Sequence, residues 1–153
     1  MAERGCGLGV AAEPGRVPPN SPLWTVSRCG LAAVTWRQTE DPVACTRVEA
    51  GDGFALVKWG QTYVAGVYIS PRLRLAEYEE TLENLKATLE RFLPCQIIVA
   101  GDFNAKSVLW GSPATDGKGR ILEEWAAGLG LVVLNTGNVQ TCVRARGGGP
   151  LST

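Results

Sequence analysis

Hydrophobic and polar positions alternate with two distinct periods along this chain, and the changes of period mark its elements. Leu75, Tyr78, Leu82, Leu85, Leu89 and Phe92 recur at three- and four-residue steps, with Glu77, Glu79, Glu80, Glu83, Lys86, Glu90 and Arg91 between them. That spacing predicts an amphipathic helix over 75–93, stopped by Pro94. A second helix is predicted over about 118–129, with Ile121, Leu122, Trp125 and Leu129 on one side and Gly130 as its C-terminal cap. Short apolar runs read as strands at 31–36, 54–59, 61–69, 96–101 and 131–134. Little more than Gly60 separates the second and third, which predicts a hairpin. Residues 1–22 are rich in Gly and Pro and read as loop around one short apolar piece, Leu8 to Ala12. Residues 144–150 read as a basic, glycine-rich loop. Strands followed by helix–strand–helix–strand predict a layered α/β domain with mixed sheets and no internal repeat.

The most informative stretch is the end of the 96–101 run. Gln96-Ile97-Ile98-Val99-Ala100 is nearly all apolar, as a buried strand requires, and it delivers Gly101-Asp102-Phe103-Asn104. Asp102 and Asn104, two residues apart on extended backbone, point to the same side. Phe103 points the other way, to anchor the turn in the core. A carboxylate there accepts a proton or holds a metal, and a carboxamide donates to a phosphate oxygen while staying neutral. Glu13, before Pro14, Tyr68, at the end of the hairpin, and Asn135, after the last run, complete a set of polar groups next to strand ends. Strand ends are where α/β layers build sites. Such a set fits phosphodiester hydrolysis: a metal polarises the phosphate, and neutral donors stabilise its oxygens in the transition state. The plainer readings are a solvated Glu13, a core Tyr68, an Asx turn at Asp102 or Asn135, and core roles for Trp110 and Trp125.

Composition narrows the chemistry. Histidine is absent from all 153 residues. That excludes imidazole bases, Ser-His-Asp triads and His-ligated metals, and leaves Mg2+ or Mn2+ on oxygen ligands. Fifteen basic and fifteen acidic residues balance, so a nucleic-acid partner must be met by a local patch rather than a general positive field. Arg144 and Arg146 are candidate phosphate contacts on that basis. Five dispersed cysteines without a CxxC pair predict reduced, mostly buried thiols. No apolar run is long enough to cross a bilayer, and the first residues lack the layout of a secretory signal, so an intracellular protein without a membrane partner is expected. Nothing in the sequence calls for a small-molecule cofactor or fixes the oligomeric state.

At this point the residues resemble a known family. Ile97-Ile-Val-Ala-Gly-Asp-Phe-Asn-Ala-Lys106, Leu109-Trp-Gly111, Gly119-Arg120, Leu122-Glu-Glu-Trp125, Gly130-Leu131 and Leu134-Asn135 are similar to the endonuclease/exonuclease/phosphatase superfamily. Within it they are most similar to the apurinic-like endonuclease domain of insect-type non-LTR retrotransposons. The resemblance covers about 10–153 and implies a four-layer α/β sandwich of two mixed, largely antiparallel sheets flanked by helices. It implies metal-dependent, DNA-nicking phosphodiester hydrolysis in a retrotransposon polyprotein, and a nuclear location if expressed from such an element. Residue by residue, Glu13 matches the metal-binding Glu, Tyr68 the phosphate-contacting Tyr, and Asp102 and Asn104 the pair that activates water or the leaving group and orients the phosphate. The family's first strand, with its Asn or Asp, is not found upstream of Leu8. Its Ser-x-x-Asp stretch and catalytic His are not found before Thr153. Residues 1–153 are therefore expected to form one partial domain, and two alternatives stand beside the nuclease: a catalytically dead remnant or nucleic-acid-binding fragment, and another phosphatase of the superfamily.

Overall fold

The structure is a computed structural model and describes residues 8–12, 24–36, 44–134 and 141–145. Among the described residues, nine strands and two α-helices run in the order β1 (Leu8–Ala12), β2 (Trp24–Val26), β3 (Ala32–Trp36), β4 (Cys45–Ala50), β5 (Phe54–Trp59), β6 (Thr62–Tyr68), α1 (Leu75–Glu90), β7 (Gln96–Asp102), α2 (Gly117–Gly128), β8 (Leu131–Val133) and β9 (Thr141–Ala145). They form a three-stranded sheet, β1-β3-β2, and a six-stranded sheet, β4-β5-β6-β7-β9-β8. The small sheet is wholly antiparallel. The large one is mixed, because β6 and β7 pair in parallel across the α1 connection while its other pairs are antiparallel. This is the fold class the sequence predicts. Among the described residues it has three layers: small sheet, large sheet, helix pair.

Two apolar clusters hold the layers together. Alternation along β7 sends Ile97 and Val99 to one face and Ile98 to the other. Ile97, Val99 and Phe103 join Leu82, Leu85, Leu122 and Trp125 beneath the helices. Ile98 packs with Val34, Val57 and Val64 between the sheets. Trp110 and Trp125 are each only 4% exposed, so both are core residues. The two helices bind edge to backbone as well: Trp125 Nε1 of α2 donates to the Leu82 carbonyl of α1 at 2.7 Å. No described helix is long and apolar enough to cross a membrane.

Several expectations need correction. The Leu8–Ala12 piece is a strand, not part of a loop, because β3 supplies its complete ladder. Arg144 and Ala145 belong to β9, which inserts between β7 and β8, rather than to a loop, and residues 146–150 of the expected loop lie outside the described residues. β2 and β4 have no counterpart in the hydrophobic pattern. β2 is three residues long, and β4 carries exposed Thr46 and Arg47 as an outer strand. The first helix ends at Glu90 rather than 93. There the amides of Arg91, Phe92 and Leu93 turn to carbonyls three residues back, a tightening that prepares the exit into Pro94. Leu75, placed on the apolar face by its spacing, is 52% exposed at the helix start. Cys29 and Cys95 are exposed and Cys45 is half-buried, against the expectation of mostly buried thiols, because the first two lie in turns rather than in strands. The hairpin is as predicted, closed by Gly60 at φ +63 with Trp59 opposite Thr62.

Candidate active site at the shared strand rim

β6 and β7 end side by side, with Tyr68 directly opposite Asp102. Paired residues of a parallel ladder point to the same face. Tyr68 shares its face with Val64, and Asp102 with Ile98, so both look toward the small sheet. Four more strands reach this rim. Tyr68 N donates to Gly53 O at 2.9 Å, and Arg28 N to Gly51 O at 2.8 Å, which brings the start of β3 to the same end. Ala12 pairs with Ala32 there, so β1 finishes at the rim one residue before Glu13. β9 begins at the rim, with Thr141 opposite Gly101. β8 runs toward it, Val133 pairing with Val143, and leaves in the direction of Asn135. Glu13 and Asn135 themselves lie outside the described residues.

The turn at Asp102–Asn104 is built around backbone strain that glycine and asparagine tolerate. Gly101 has φ +144, and a Cβ there would stand 1.9 Å from the Val67 carbonyl oxygen. Only glycine lets β7 approach β6 so closely at its end. Asn104 is the one described non-glycine residue with positive φ, at +47, in the left-handed region that Asn enters more readily than most residues. Asp102 Oδ1 accepts from Asn104 N at 3.0 Å, an Asx turn. Asn104 Nδ2 donates to the Ile69 carbonyl at 2.7 Å, and Ile69 N donates to the Asp102 carbonyl at 2.9 Å. The carboxamide is therefore held across the β6 end, and the carboxylate is held by the backbone of its own turn. Phe103 is 1% exposed and tilts on Trp125 with ring centroids 6.4 Å apart. It anchors the turn as its alternation predicts.

Tyr68 is 9% exposed. It is a core residue with one edge at the rim, which combines the two readings its position allowed. A hollow of about 390 Å³ opens beside it, bounded by Tyr68, Ile69, Asp52, Glu77, Glu80 and Asn84. Its three carboxylates, Asp52, Glu77 and Glu80, make it a poor place for a phosphate. The sequence-predicted residues thus divide. Tyr68, Asp102 and Asn104 come together. Arg144 pairs with Ile98, four residues back from Asp102, or about 13 Å along the strand direction, and Arg146 lies outside the described residues.

Two supporting residues escaped the sequence reading. Tyr78 of α1, fully buried, donates from its hydroxyl to the Phe103 carbonyl at 2.9 Å. Burial, then the charges of Asp116 and Asp102, push its phenol well above the ordinary tyrosine range. Asp116 caps α2, accepting from Gly119 N at 2.7 Å, and the same Oδ1 accepts from Lys106 N at 3.1 Å. It ties the segment after Asn104 to the helix. An acidic residue just before a predicted helix start is the available signal for Asp116. For Tyr78 the helical pattern signals only burial.

The fold and rim define a layered α/β domain of the endonuclease/exonuclease/phosphatase type, with a carboxylate, a carboxamide and a phenol gathered at the strand ends. The chain belongs to the endonuclease–reverse transcriptase family, whose model matches residues 62–151, from β6 through β9. Among solved structures, the chain is similar to the endonuclease domain of TRAS1, a telomere-specific non-LTR retrotransposon. The TM-score is 0.65 and the identity 22%, over 90% of this chain and 65% of that one. This chain thus spans about two thirds of that domain. No curated protein matches the chain.

Proposed function

We propose that this chain is a metal-dependent DNA-nicking endonuclease domain that hydrolyses a phosphodiester at the β6–β7 rim. The observation that carries the reading is the Asp102–Asn104 turn, with Tyr68 opposite Asp102 on the adjoining parallel strand. Family membership supports nuclease chemistry over the same residues. The donor set fits a hard divalent cation. It offers carboxylate and carboxamide oxygens and no imidazole or CxxC thiol pair. Asp102 is a candidate ligand among the described residues, and Glu13, the residue after Ala12 in sequence, is the other candidate. Mg2+ or Mn2+ bound there would supply Lewis-acid polarisation of the phosphate.

The chain's own residues have separate tasks. Asn104, fixed by its bond to Ile69 O, presents the rest of its carboxamide to a phosphate oxygen without changing charge. Tyr68 flanks that oxygen from β6. Asp102 supplies the negative charge that orients or deprotonates the attacking water. With no histidine in the chain, no imidazole shares that proton transfer. That same fact favours one second reading, nucleic-acid binding without turnover.

Nicking of supercoiled plasmid in Mg2+ separates the two. The nuclease reading expects nicking by this chain that EDTA and Asp102→Ala both abolish. Salt-dependent DNA binding, unaltered by Asp102→Ala and accompanied by no nicking, would establish the second reading instead.

A further inference from the structure

The segment between β7 and α2 displays two apolar side chains in water. Val108 is 60% exposed and Leu109 55%, in a single 3₁₀ turn, Val108–Trp110. The turn is rigidly braced. Ser107, fully buried, accepts from Leu109 N at 3.0 Å and donates to Glu123 of α2. Trp110 is buried, and its Nε1 donates to Ala105 O at 3.0 Å. Val108 N donates to Thr115 Oγ1 at 3.1 Å. Gly111, at φ +91, closes the turn with its amide on Val108 O at 3.2 Å. An isolated exposed leucine is ordinary. A valine and a leucine side by side at the tip of a fully braced turn, beside a candidate active site, form a projection whose shape is fixed before anything binds it.

Charge at the same rim indicates what that projection meets. Three segments join here. Lys118 Nζ donates to Pro71 O at 2.9 Å, Asp116 N to Lys106 O at 3.0 Å, and Leu75 packs against Gly117. They carry Arg72, Arg74, Lys106, Lys118 and Arg120. Against these five cations stand two carboxylates, Glu77, which accepts from Arg74 N, and Asp116, which caps α2, so positive charge is in excess. In a chain of zero net charge, this is a local cationic rim suited to a phosphate backbone. Leu109 follows Asn104 by five residues, a reach of at most about 18 Å, or about five base pairs of duplex.

We propose that the Val108–Leu109 tip is a wedge that enters the base stack of duplex DNA within about five base pairs of the phosphate held at Asn104, Leu109 leading. The proposal rests on the DNA reading of the site. The cations of the joined segments draw in the backbone, and the braced turn unstacks one step at no ordering cost to the protein.

The test uses duplexes carrying 2-aminopurine at successive positions, with the full chain, in parallel with an affinity titration. The expected result is a rise in 2-aminopurine fluorescence on binding. Leu109→Ser should remove that rise and weaken affinity about tenfold, with the denaturation midpoint unchanged. Lys106→Ala should weaken affinity and keep the rise. Binding with a rise that Leu109→Ser leaves intact, or binding with no rise at all, overturns the wedge while leaving the DNA reading standing. No binding at any salt overturns both, whereas a change of oligomeric state on Leu109→Ser with DNA binding unchanged overturns the wedge alone.

Discussion

The hydroxyl of Tyr78 donates a 2.9 Å hydrogen bond to the carbonyl of Phe103, the residue between Asp102 and Asn104. A helix buried on the far side of the sheet therefore holds the peptide that separates the two candidate catalytic side chains. Tyr78→Phe leaves that carbonyl buried without its donor, at a cost of about 1–3 kcal/mol. A lowered denaturant midpoint with unchanged slope is the expected measurement.

The same phenol sets a pH dependence. Its proton is held more tightly in the folded chain than in the unfolded one, because burial and two nearby carboxylates oppose ionisation. Its contribution is complete below the ordinary tyrosine value of about 10 and declines as pH rises beyond it. Cys45 acts in the same direction. Burial raises its thiol from 9.0 to about 11, so stability falls across that interval too. Alkaline unfolding followed by circular dichroism should begin above about pH 9 and be shallower in Tyr78→Phe.

Gly101→Ala tests the close approach at the strand end. A Cβ 1.9 Å from Val67 O, on a backbone with φ +144, forces β6 and β7 apart where Tyr68 faces Asp102. The expected loss is at least about 2 kcal/mol, with nicking reduced in the fraction that remains folded.

Asn104 separates conformation from chemistry. Asn104→Gly keeps access to φ +47, and Asn104→Ala does not. The alanine variant should be the less stable by about 1 kcal/mol. Both lose the carboxamide, so both should lose Mg2+-dependent nicking to a similar degree. Nicking retained by the glycine variant would remove Asn104 from the chemistry and leave it a turn residue.

Ser107→Ala tests the brace beneath the exposed turn. Ser107 is fully buried, caps Leu109 N and donates to Glu123. Its loss strands a carboxylate and an amide, and about 1–3 kcal/mol of destabilisation is expected by thermal melting.

Much of this was legible along the chain, for a local reason. The helical period of 75–92, the hairpin at Gly60 and the apolar run into Gly101-Asp102-Phe103-Asn104 are patterns in which neighbouring residues constrain one another. The alternation around Phe103 was enough to place its ring in the core, while Asn104, at φ +47, leaves the extended path on which its side chain would share a side with Asp102. The sequence by itself also determined which chemistry is available, by carrying carboxylates, an amide and a phenol at strand ends and no histidine.

Tertiary structure decided the rest, because pairing partners far apart in sequence leave little local trace. β2 is too short and β4 too exposed to announce themselves. β9 sits between β7 and β8 although it follows both in sequence, and that insertion turns Arg144 from a loop residue into a strand residue. Nothing in the helical pattern of α1 distinguishes Tyr78 from the leucines around it. Its role exists only because folding brings a hydroxyl to a carbonyl 25 residues away. The sequence determined the groups and their local directions. Only the packed sheet, by ending β1, β6, β7 and β8 at one rim, decided which of those groups face each other.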